Sequence, residues 1–276
     1  MQTLNCNQSL IDLSIPKVMG IINVTPDSFY DGGTTIQNSE IVAQATQMLN
    51  EGASILDIGG YSSRPGAAEV SVHQELERVI PGIEAILATF PSAILSIDTF
   101  RSEVAEAAIR AGAAMVNDIS AGNLDKAMYA TVAKLQVPYI MMHMRGTPED
   151  MQQRTQYENV TTEVIKELSE RLRAARQAGI NDVVVDPGFG FAKTTAQNFE
   201  LLNHLELFDA LDAPYLIGIS RKSMIYKTLG IDAPQALNGT STLHAIALQK
   251  GASILRVHDV KEAVECEKLH EALTRY

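Results

Sequence analysis

The stretch VMGIINVTPDSFYDGG, residues 18–33, joins an apolar run to a polar loop with a proline, an aspartate, two adjacent aromatic residues and a glycine pair. A short apolar run bounded by turn residues is typical of a strand buried on both faces. Similar runs followed by polar residues recur along the chain. We therefore predict eight buried strands: VMGIIN (18–23), SILDI (54–58), AILSID (93–98), AMVND (114–118), PYIMMH (138–143), DVVVD (182–186), PYLIGIS (214–220) and SILRVH (253–258).

Helical patterns separate these strands. Ser39 is a candidate N-cap and Gly52 a candidate stop for the first helix, and Pro81 predicts a kink or a division in the second, residues 71–90. Strand and helix alternate without hairpin signals, which indicates parallel strands joined by helical crossovers. Eight such units over roughly 250 residues predict an α/β fold, a single (β/α)8 TIM barrel. The alternative is an open doubly wound sheet, whose glycine fingerprint follows none of the strands.

The N-terminal residues 4–17, LNCNQSLIDLSIPK, do not join this repeat. They predict a short N-terminal extension, and a hairpin that closes the bottom of the barrel is one candidate for it. Since no linker or low-complexity tract divides the chain, we expect one barrel domain over residues 1–276.

Composition limits the partners of the chain. The net charge of −11 argues against nucleic acid and anionic membranes, because both require a basic face. The two cysteines, Cys6 and Cys266, lie near opposite ends and have no metal or redox spacing. With a polar N-terminus and no run of membrane-spanning length, these features favour a soluble cytoplasmic protein.

Polar groups end the predicted strands, and in such barrels these ends meet at one rim. Asp98, Asn117 and Asp186 emerge from buried strands, where an unpaired carboxylate is costly. An acceptor-rich site suits a ligand with several N–H donors, such as an amino-heterocycle. A helix cap or a rim ion pair is an equally open reading of each aspartate.

A second group of strand-end residues is cationic and predicts a phosphate or diphosphate site: Arg64, Arg221, Lys222, Arg256 and His258. Arg221 alone is expected to be a solvated surface charge. Asn23 offers a neutral oxygen, which suits Mg²⁺ held mainly by substrate phosphates and water. Ser220 lies in no nucleophile elbow, and His143 is open between a structural rim residue and a ligand.

With these residues in place, the chain resembles the dihydropteroate synthase family from about Pro16 to its C-terminus. The motifs that carry the resemblance are MGIINVTPDSFYDGG, LDIGGYSSRPGA, SIDTFRSEVAEAAIRAGAAMVNDISAG, MMHMRGTPEDMQ, VVVDPGFGFAKTTAQNFELL, GISRKSM, NGTSTLHAIALQKGA and LRVHDV. The resemblance implies a sulfonamide target, usually homodimeric, that joins a dihydropterin-methyl diphosphate to 4-aminobenzoate. In the family, the bond to diphosphate is thought to break first, assisted by Mg²⁺, and the amine then captures the pterin cation.

The family's site residues carry over position by position. Its pterin site matches Asp98, Asn117, Asp186, Lys222 and Arg256. Its diphosphate site matches Asn23, Arg64, Arg256 and His258, with Asn23 at the metal. Its 4-aminobenzoate pocket matches Phe29, Ser63, Pro65, Phe191, Ser220 and Lys222. The implied catalytic set is Asn23, Asp27, Arg64, Lys222, Arg256 and His258, with residues 25–30 as a lid and Asp27 as a partner for Arg64.

Three positions depart from the common family pattern: Tyr61 replaces Glu, Ser63 replaces Thr, and Ala192 replaces Gly. Ala192 should be free of strain only if its φ is negative. Two other functions stay open. A pterin-dependent methyltransferase barrel would share the acidic pocket but would need no diphosphate site, and a silent pterin-binding paralogue would lack a cation at position 64, 222 or 256.

Overall fold

The computed structural model describes residues 3–7, 9–24, 34–61 and 70–275. All eight predicted strands are present within one sheet, although the seventh is reduced to two residues. After β1 (Thr3–Cys6) and β2 (Ser9–Asp12), the sheet contains β3 (Lys17–Asn23), β4 (Ile55–Gly59), β5 (Leu95–Asp98), β6 (Met115–Asp118), β7 (Tyr139–Met142), β8 (Val183–Asp186), β9 (Leu216–Ile217) and β10 (Ile254–Val257).

The sheet is parallel and closes on itself. Its hydrogen-bonded order is β8-β7-β6-β5-β4-β3-β10-β9. The two outermost strands meet at a parallel bridge between Val185 and Tyr215, where the Val185 N–H donates to the Pro214 carbonyl oxygen at 2.9 Å. The strands form a closed barrel, so the predicted (β/α)8 fold is confirmed and the open sheet is wrong.

Helices follow the barrel strands and pack around them: α1 (Thr34–Glu51), α2 (Val72–Thr89), α3 (Ser102–Arg110), α4 (Met128–Leu135), α5 (Val160–Gln177), α6 (Thr195–Asn203), α7 (Ser223–Leu229), α8 (Leu237–Gln249) and α9 (Val260–Thr274). The predicted N-cap at Ser39 is wrong, because α1 begins five residues earlier, at Thr34. The predicted stop at Gly52 is confirmed by its φ of +103°, a conformation that glycine adopts without steric cost.

Pro81 does not divide α2, which runs through it as one helix. A capping box starts this helix, with the Gln74 N–H donating to the Ser71 hydroxyl and the Ser71 N–H donating to the Gln74 side chain. Val79 and Ile83 on either side of the proline are buried in the barrel core. Burial of such side chains is worth about 1.5–3 kcal/mol each. Together they offset the cost of a proline in a helix interior, about 3 kcal/mol.

The N-terminal extension is a hairpin in which β1 and β2 pair antiparallel. Its Leu4 and Ile11 pack in one apolar cluster with the first residues of the barrel strands, such as Ile55 and Ile254. The Asn5 N–H also donates to the Asp182 carboxylate, just before β8, at 2.8 Å. The hairpin thus covers the N-terminal end of the barrel and leaves the C-terminal end for the polar residues.

None of the helices within the described residues combines the length and apolarity needed to cross a membrane.

Candidate active site

The C-terminal ends of the barrel strands bring the predicted pterin-binding residues to one rim. Asp98 is the last residue of β5 and lies beside Asn117 of β6 in the sheet register. Asp186 is the last residue of β8, and Arg256 lies within β10. The parallel register thus gathers side chains that are far apart in the sequence.

A shared carboxylate network organises one side of this rim. Arg256 donates from Nε to Asp57 Oδ2 and from Nη2 to Asp98 Oδ2, both at 2.6 Å. Asn117 Nδ2 donates to the same Asp57 oxygen at 2.9 Å. Asp57 is fully buried in β4, and within the described residues its other oxygen, Oδ1, has no hydrogen-bond partner. Asp57 therefore orients two of the predicted site residues.

Asp57 lies among the predicted site residues, although it was not itself predicted as one of them. The signal was visible, since SILDI is an apolar strand with one carboxylate, and a buried carboxylate requires partners. Its partners could not be read from the sequence, because Asn117 is 60 and Arg256 is 199 residues away.

The ionisation states on this side depend on burial and on Arg256. Burial raises the pKa of Asp98 to about 7. The Arg256 guanidinium opposes this rise, and the nearby Asp57 carboxylate adds to it. Burial lowers the pKa of Arg256, but Asp57 and Asp98 outweigh it, so its pKa is raised and it stays charged. The rim therefore holds a fixed guanidinium between two carboxylates.

The opposite side of the rim is formed by Asp186, Lys222 and the loop after β8. Lys222 Nζ donates to the Phe189 carbonyl oxygen at 2.6 Å and lies 4.8 Å from the centre of the Phe191 ring. Asp186 Oδ1 accepts from the Gly188 N–H at 2.7 Å. Burial raises the pKa of Asp186 and lowers that of Lys222 to about 8, and the attraction between the two opposes both shifts. A cation and an aromatic face are thus placed side by side.

Ser220 and His258 are also brought together. The Ser220 hydroxyl lies 3.1 Å from His258 Nδ1 and accepts from the His258 backbone N–H at 3.2 Å. Arg221, expected as a solvated surface charge, is instead half-buried and forms a bidentate pair with Asp259 at 2.8 and 2.7 Å. Its guanidinium therefore links the loop before α7 to Asp259 at the start of α9.

Five predicted site residues lie outside the described residues: Asp27, Phe29, Ser63, Arg64 and Pro65. The predicted lid, residues 25–30, lies there too. The pairing of Asp27 with Arg64 and half of the amine pocket therefore stay predictions.

The donor set at the rim bears on the predicted Mg²⁺ site. Asn23 closes β3 at the rim and offers one neutral oxygen. Among the described residues, no three His, Cys, Asp or Glu side chains are grouped as a protein-built metal site requires. This set fits Mg²⁺ only where substrate oxygens and water supply most of the ligands.

His143 is a buried side chain with a partner on each side. Its Nε2 lies 3.0 Å from Glu167 Oε2 and its Nδ1 lies 3.0 Å from Lys193 Nζ. The acid beside it, Glu167, belongs to α5, and this pairing was not predicted from the sequence. His143 is therefore a structural residue beneath the rim.

Two of the departures from the family pattern are within the described residues. The Tyr61 ring packs edge-on against Phe100, with centroids 5.1 Å apart, and the Arg101 guanidinium lies over both rings. Ala192 has a φ of +50°, so the condition for an unstrained alanine is not met. Its Cβ in the left-handed region costs about 1–2 kcal/mol.

Comparisons with known proteins agree with this geometry. A family model described as a pterin-binding enzyme matches residues 19–258. The chain is 45% identical to the dihydropteroate synthase of Escherichia coli (strain K12) over 264 residues, which are 95% of this chain and 93% of that protein. A Xanthomonas albilineans dihydropteroate synthase with 4-aminobenzoic acid superposes with a TM-score of 0.92 at 44% identity, covering 99% of this chain and 98% of that one. A Yersinia pestis dihydropteroate synthase in a sulfonamide complex gives 0.93 at 40% identity and covers 100% of both chains.

The rim holds oxygen acceptors and fixed cations on the same barrel that these relatives share. The similarity extends over nearly the whole length of both proteins, so it is not confined to a common fold. We conclude that the chain belongs to the dihydropteroate synthase family of pterin-binding enzymes.

Proposed function

We propose that the chain is a dihydropteroate synthase, which condenses (7,8-dihydropterin-6-yl)methyl diphosphate with 4-aminobenzoate to give 7,8-dihydropteroate and diphosphate. The observation that carries this proposal is Arg256, which two carboxylates fix at the rim beside the acceptors Asp98 and Asn117. One pocket can then hold a nitrogen-rich ring and the anion attached to it.

Pterin recognition follows from the oxygens that the network leaves available. Asp98 Oδ2 is occupied by Arg256 and Asp186 Oδ1 by the Gly188 N–H. Their second oxygens, with the side-chain amide oxygen of Asn117, can accept from the ring and exocyclic N–H groups of a pterin. The Lys222 ammonium supplies a donor for the ring carbonyl oxygen. Such charge-assisted bonds are short and directional, which favours a planar heterocycle.

Departure of the diphosphate requires positive charge where negative charge develops. Arg256 remains charged, and we assign His258, Arg64 and Asn23 to the same leaving group. Mg²⁺, if bound through Asn23 and the diphosphate oxygens, would supply further charge neutralisation. The carbon–oxygen bond breaks with its electron pair on the diphosphate, and the resulting pterin-stabilised cation forms a bond to the amine nitrogen, which then loses a proton. No protein nucleophile is needed.

The second substrate is assigned to the wall formed by Phe191, Lys222 and Ser220, completed by Phe29, Ser63 and Pro65. Lys222 carries a cation that can pair with a benzoate carboxylate while the Phe191 ring packs on the aromatic face. The Xanthomonas relative holds 4-aminobenzoic acid and the Yersinia relative a sulfonamide drug, which supports an amine pocket here and sensitivity to sulfonamides.

Four further features belong to this proposal: one domain over residues 1–276, Mg²⁺ dependence, a homodimer and a cytoplasmic location. Sedimentation of the purified chain tests the dimer, and added chelator tests the metal.

The proposal is tested by assaying the purified chain for dihydropteroate synthesis, for methyl transfer and for pterin binding. We expect diphosphate release with the pterin diphosphate, Mg²⁺ and 4-aminobenzoate, and inhibition by a sulfonamide. Methyl transfer from a methyl-folate to a corrinoid, without diphosphate release in the first assay, would show that the chain is the methyltransferase-type barrel. Binding of a pterin without either reaction would identify the silent paralogue.

A further inference from the structure

A chain of hydrogen-bonded polar side chains, buried at Lys193 and His143 and half-buried at Glu167 and Arg145, lies beneath the site and has no role in the reaction described above. Lys193, only 4% exposed, donates from Nζ to the Gly188 carbonyl oxygen at 3.0 Å and to the Phe191 carbonyl oxygen at 3.1 Å. The same Nζ lies 3.0 Å from His143 Nδ1, and beyond His143 stand Glu167 and Arg145. We call these four residues the Lys193 cluster: Lys193, His143, Glu167 and Arg145.

The protonation states within the Lys193 cluster follow from the ionisation of Glu167. Burial tends to raise the pKa of Glu167, but the bonds from His143 and Arg145 outweigh it and lower the pKa to about 2. An ionised Glu167 only accepts, so the proton of the His143 ring must lie on Nε2. Burial and the nearby Lys193 lower the pKa of His143 to about 3, so the ring is neutral and its Nδ1 is an acceptor.

Lys193 Nζ therefore faces three acceptors: His143 Nδ1 and the carbonyl oxygens of Gly188 and Phe191. An ammonium group has three N–H donors, so each donor has one partner and the buried charge is fully hydrogen-bonded. A neutral amine would leave one acceptor without a donor. Burial lowers the pKa of Lys193 to about 7. Asp186 and Glu167 oppose this shift, and the charges of Lys222 and Arg145 add to it.

The cluster reaches the site through the loop after β8. The two carbonyl oxygens that bind Lys193 lie on either side of Phe189, whose own carbonyl oxygen accepts from Lys222 Nζ. The loop also lies directly on the end of β7, because a Cβ at Gly188 would stand 1.9 Å from the His143 carbonyl oxygen. The loop after β8 is thus bound both by Lys193, through the Gly188 and Phe191 carbonyl oxygens, and by Lys222, through the Phe189 carbonyl oxygen.

A second connection joins the other end of the cluster to the same loop. The Arg145 guanidinium stacks on the Tyr157 ring at 3.9 Å, and the Tyr157 hydroxyl donates to the Ala192 carbonyl oxygen at 3.0 Å. The loop is therefore held both from below, by Lys193, and from the side, by Tyr157.

We propose that Lys193, oriented by His143 and Glu167, is a positioning residue that holds the loop of residues 188–191 so that Phe191 and Lys222 form the wall for the aromatic amine. This inference rests on the proposed function for the identity of the amine. Of the residues assigned to the pterin, Asp186 and Lys222 each bond to this loop, through the Gly188 N–H and the Phe189 carbonyl oxygen. Asp98, Asn117 and Arg256 are held by the Asp57 network instead, so we expect pterin binding to weaken less than amine binding.

The test is Lys193→Met, which keeps the length of the side chain and removes its donors. Lys166→Met is the matched control, because Lys166 is exposed on α5, next to Glu167 in the sequence. We expect the KM for 4-aminobenzoate to rise about tenfold or more at saturating pterin diphosphate, as for the loss of charge-assisted hydrogen bonds. We expect the Kd of the pterin diphosphate, measured calorimetrically without amine, to rise less, by about threefold or less, because the Asp57 network still holds three of its five assigned residues. The control should change neither quantity.

An equal rise in both constants, or no rise in either, would overturn the inference. A wild-type chain without turnover would instead refute the proposed function, so the two failures are distinguishable. If Lys193→Met does not fold, His143→Leu removes one acceptor of the ammonium and should show the same split. Independently of activity, nitrogen NMR of the folded wild-type chain below pH 7 should show a neutral His143 with its proton on Nε2. A proton on Nδ1 would contradict the assigned network.

Discussion

Replacing Asp57 by Asn tests the carboxylate network at the rim. Asp57 Oδ2 accepts from Arg256 Nε at 2.6 Å and from Asn117 Nδ2 at 2.9 Å. An asparagine of the same shape has one oxygen and one amide nitrogen. If its oxygen keeps both bonds, it keeps them without charge. If its nitrogen turns toward either partner, a donor faces a donor.

The expected loss in kcat/KM follows from replacing the charged acceptor of these hydrogen bonds by a neutral one. A hydrogen bond to a charged group contributes about 1.5–3 kcal/mol, and a neutral one about 0.5–1.5 kcal/mol. A net loss of about 1–2 kcal/mol corresponds to roughly 5- to 30-fold in kcat/KM for the pterin substrate, since 1.36 kcal/mol is tenfold. The 4-aminobenzoate wall is across the rim, so its KM should change less.

The same substitution should move the pH dependence. Burial raises the pKa of Asp98 to about 7, so kcat/KM for the pterin substrate should fall as Asp98 is protonated below that pH. Asp57 contributes to this rise by like-charge repulsion. In Asp57→Asn this repulsion is removed and the pKa of Asp98 falls. The acidic limb of the pH profile, where kcat/KM declines as Asp98 is protonated, should therefore shift to lower pH.

Steady-state kinetics across pH, with pterin diphosphate varied, measure both effects. Glu170→Gln, which removes one charge from an exposed position of α5, is the control and should leave both unchanged. An Asp57→Asn chain with wild-type kcat/KM and an unshifted acidic limb would refute the role of Asp57 and the assignment of the limb to Asp98.

Three further predictions follow from the same rim. Arg256→Ala should lower kcat/KM for the pterin substrate more than Ser63→Ala does, since charged hydrogen bonds are worth about 1.5–3 kcal/mol each and a neutral hydroxyl less; the reverse order would show misplaced roles. Ala192→Gly should raise the free energy of unfolding by about 0.5–1 kcal/mol in denaturant titration, because its φ of +50° suits glycine, whereas Ala178→Gly at φ −73° should not stabilise; equal effects would contradict the strain. Deleting residues 25–30 should spare pterin binding in calorimetry and abolish capture of the amine, and lost pterin binding would contradict a lid.

The barrel could be predicted from the sequence because buried parallel strands leave a direct signal. Each strand is a short apolar run, and the runs alternate with helical patterns, so both the number and the parallel direction of the strands followed. Local details were less secure. The start of α1 at Thr34 was missed, because Ser39 offered a capping side chain inside the helix. The continuity of α2 through Pro81 depends on core contacts that local propensity does not contain.

The gathering of the site could be predicted in part. The polar ends of the strands identified Asp98, Asn117, Asp186 and Arg256, since barrel topology places such ends together. The bonds among them could not be predicted, because they join residues that are far apart in the sequence. Asp57 was visible as a carboxylate in an apolar strand, but neither of its partners was.

Lys193 shows a different limit of the sequence. Nothing near it signals that its ammonium is buried, and its partner His143 comes from another strand end, 50 residues away. Whether Ala192 is strained depends on its φ, and the positive value of that angle could not be predicted from the sequence.

The products of one turnover show whether the chain is a dihydropteroate synthase. The purified chain is mixed with Mg²⁺, the dihydropterin-methyl diphosphate and 4-aminobenzoate. The 7,8-dihydropteroate is quantified by mass spectrometry, and the diphosphate by a phosphate assay after hydrolysis with an added pyrophosphatase. We expect equal amounts of the two products, and diphosphate release that is absent or far slower without the amine. Diphosphate release that is equally fast without the amine, or no dihydropteroate in its presence, would contradict the proposed function.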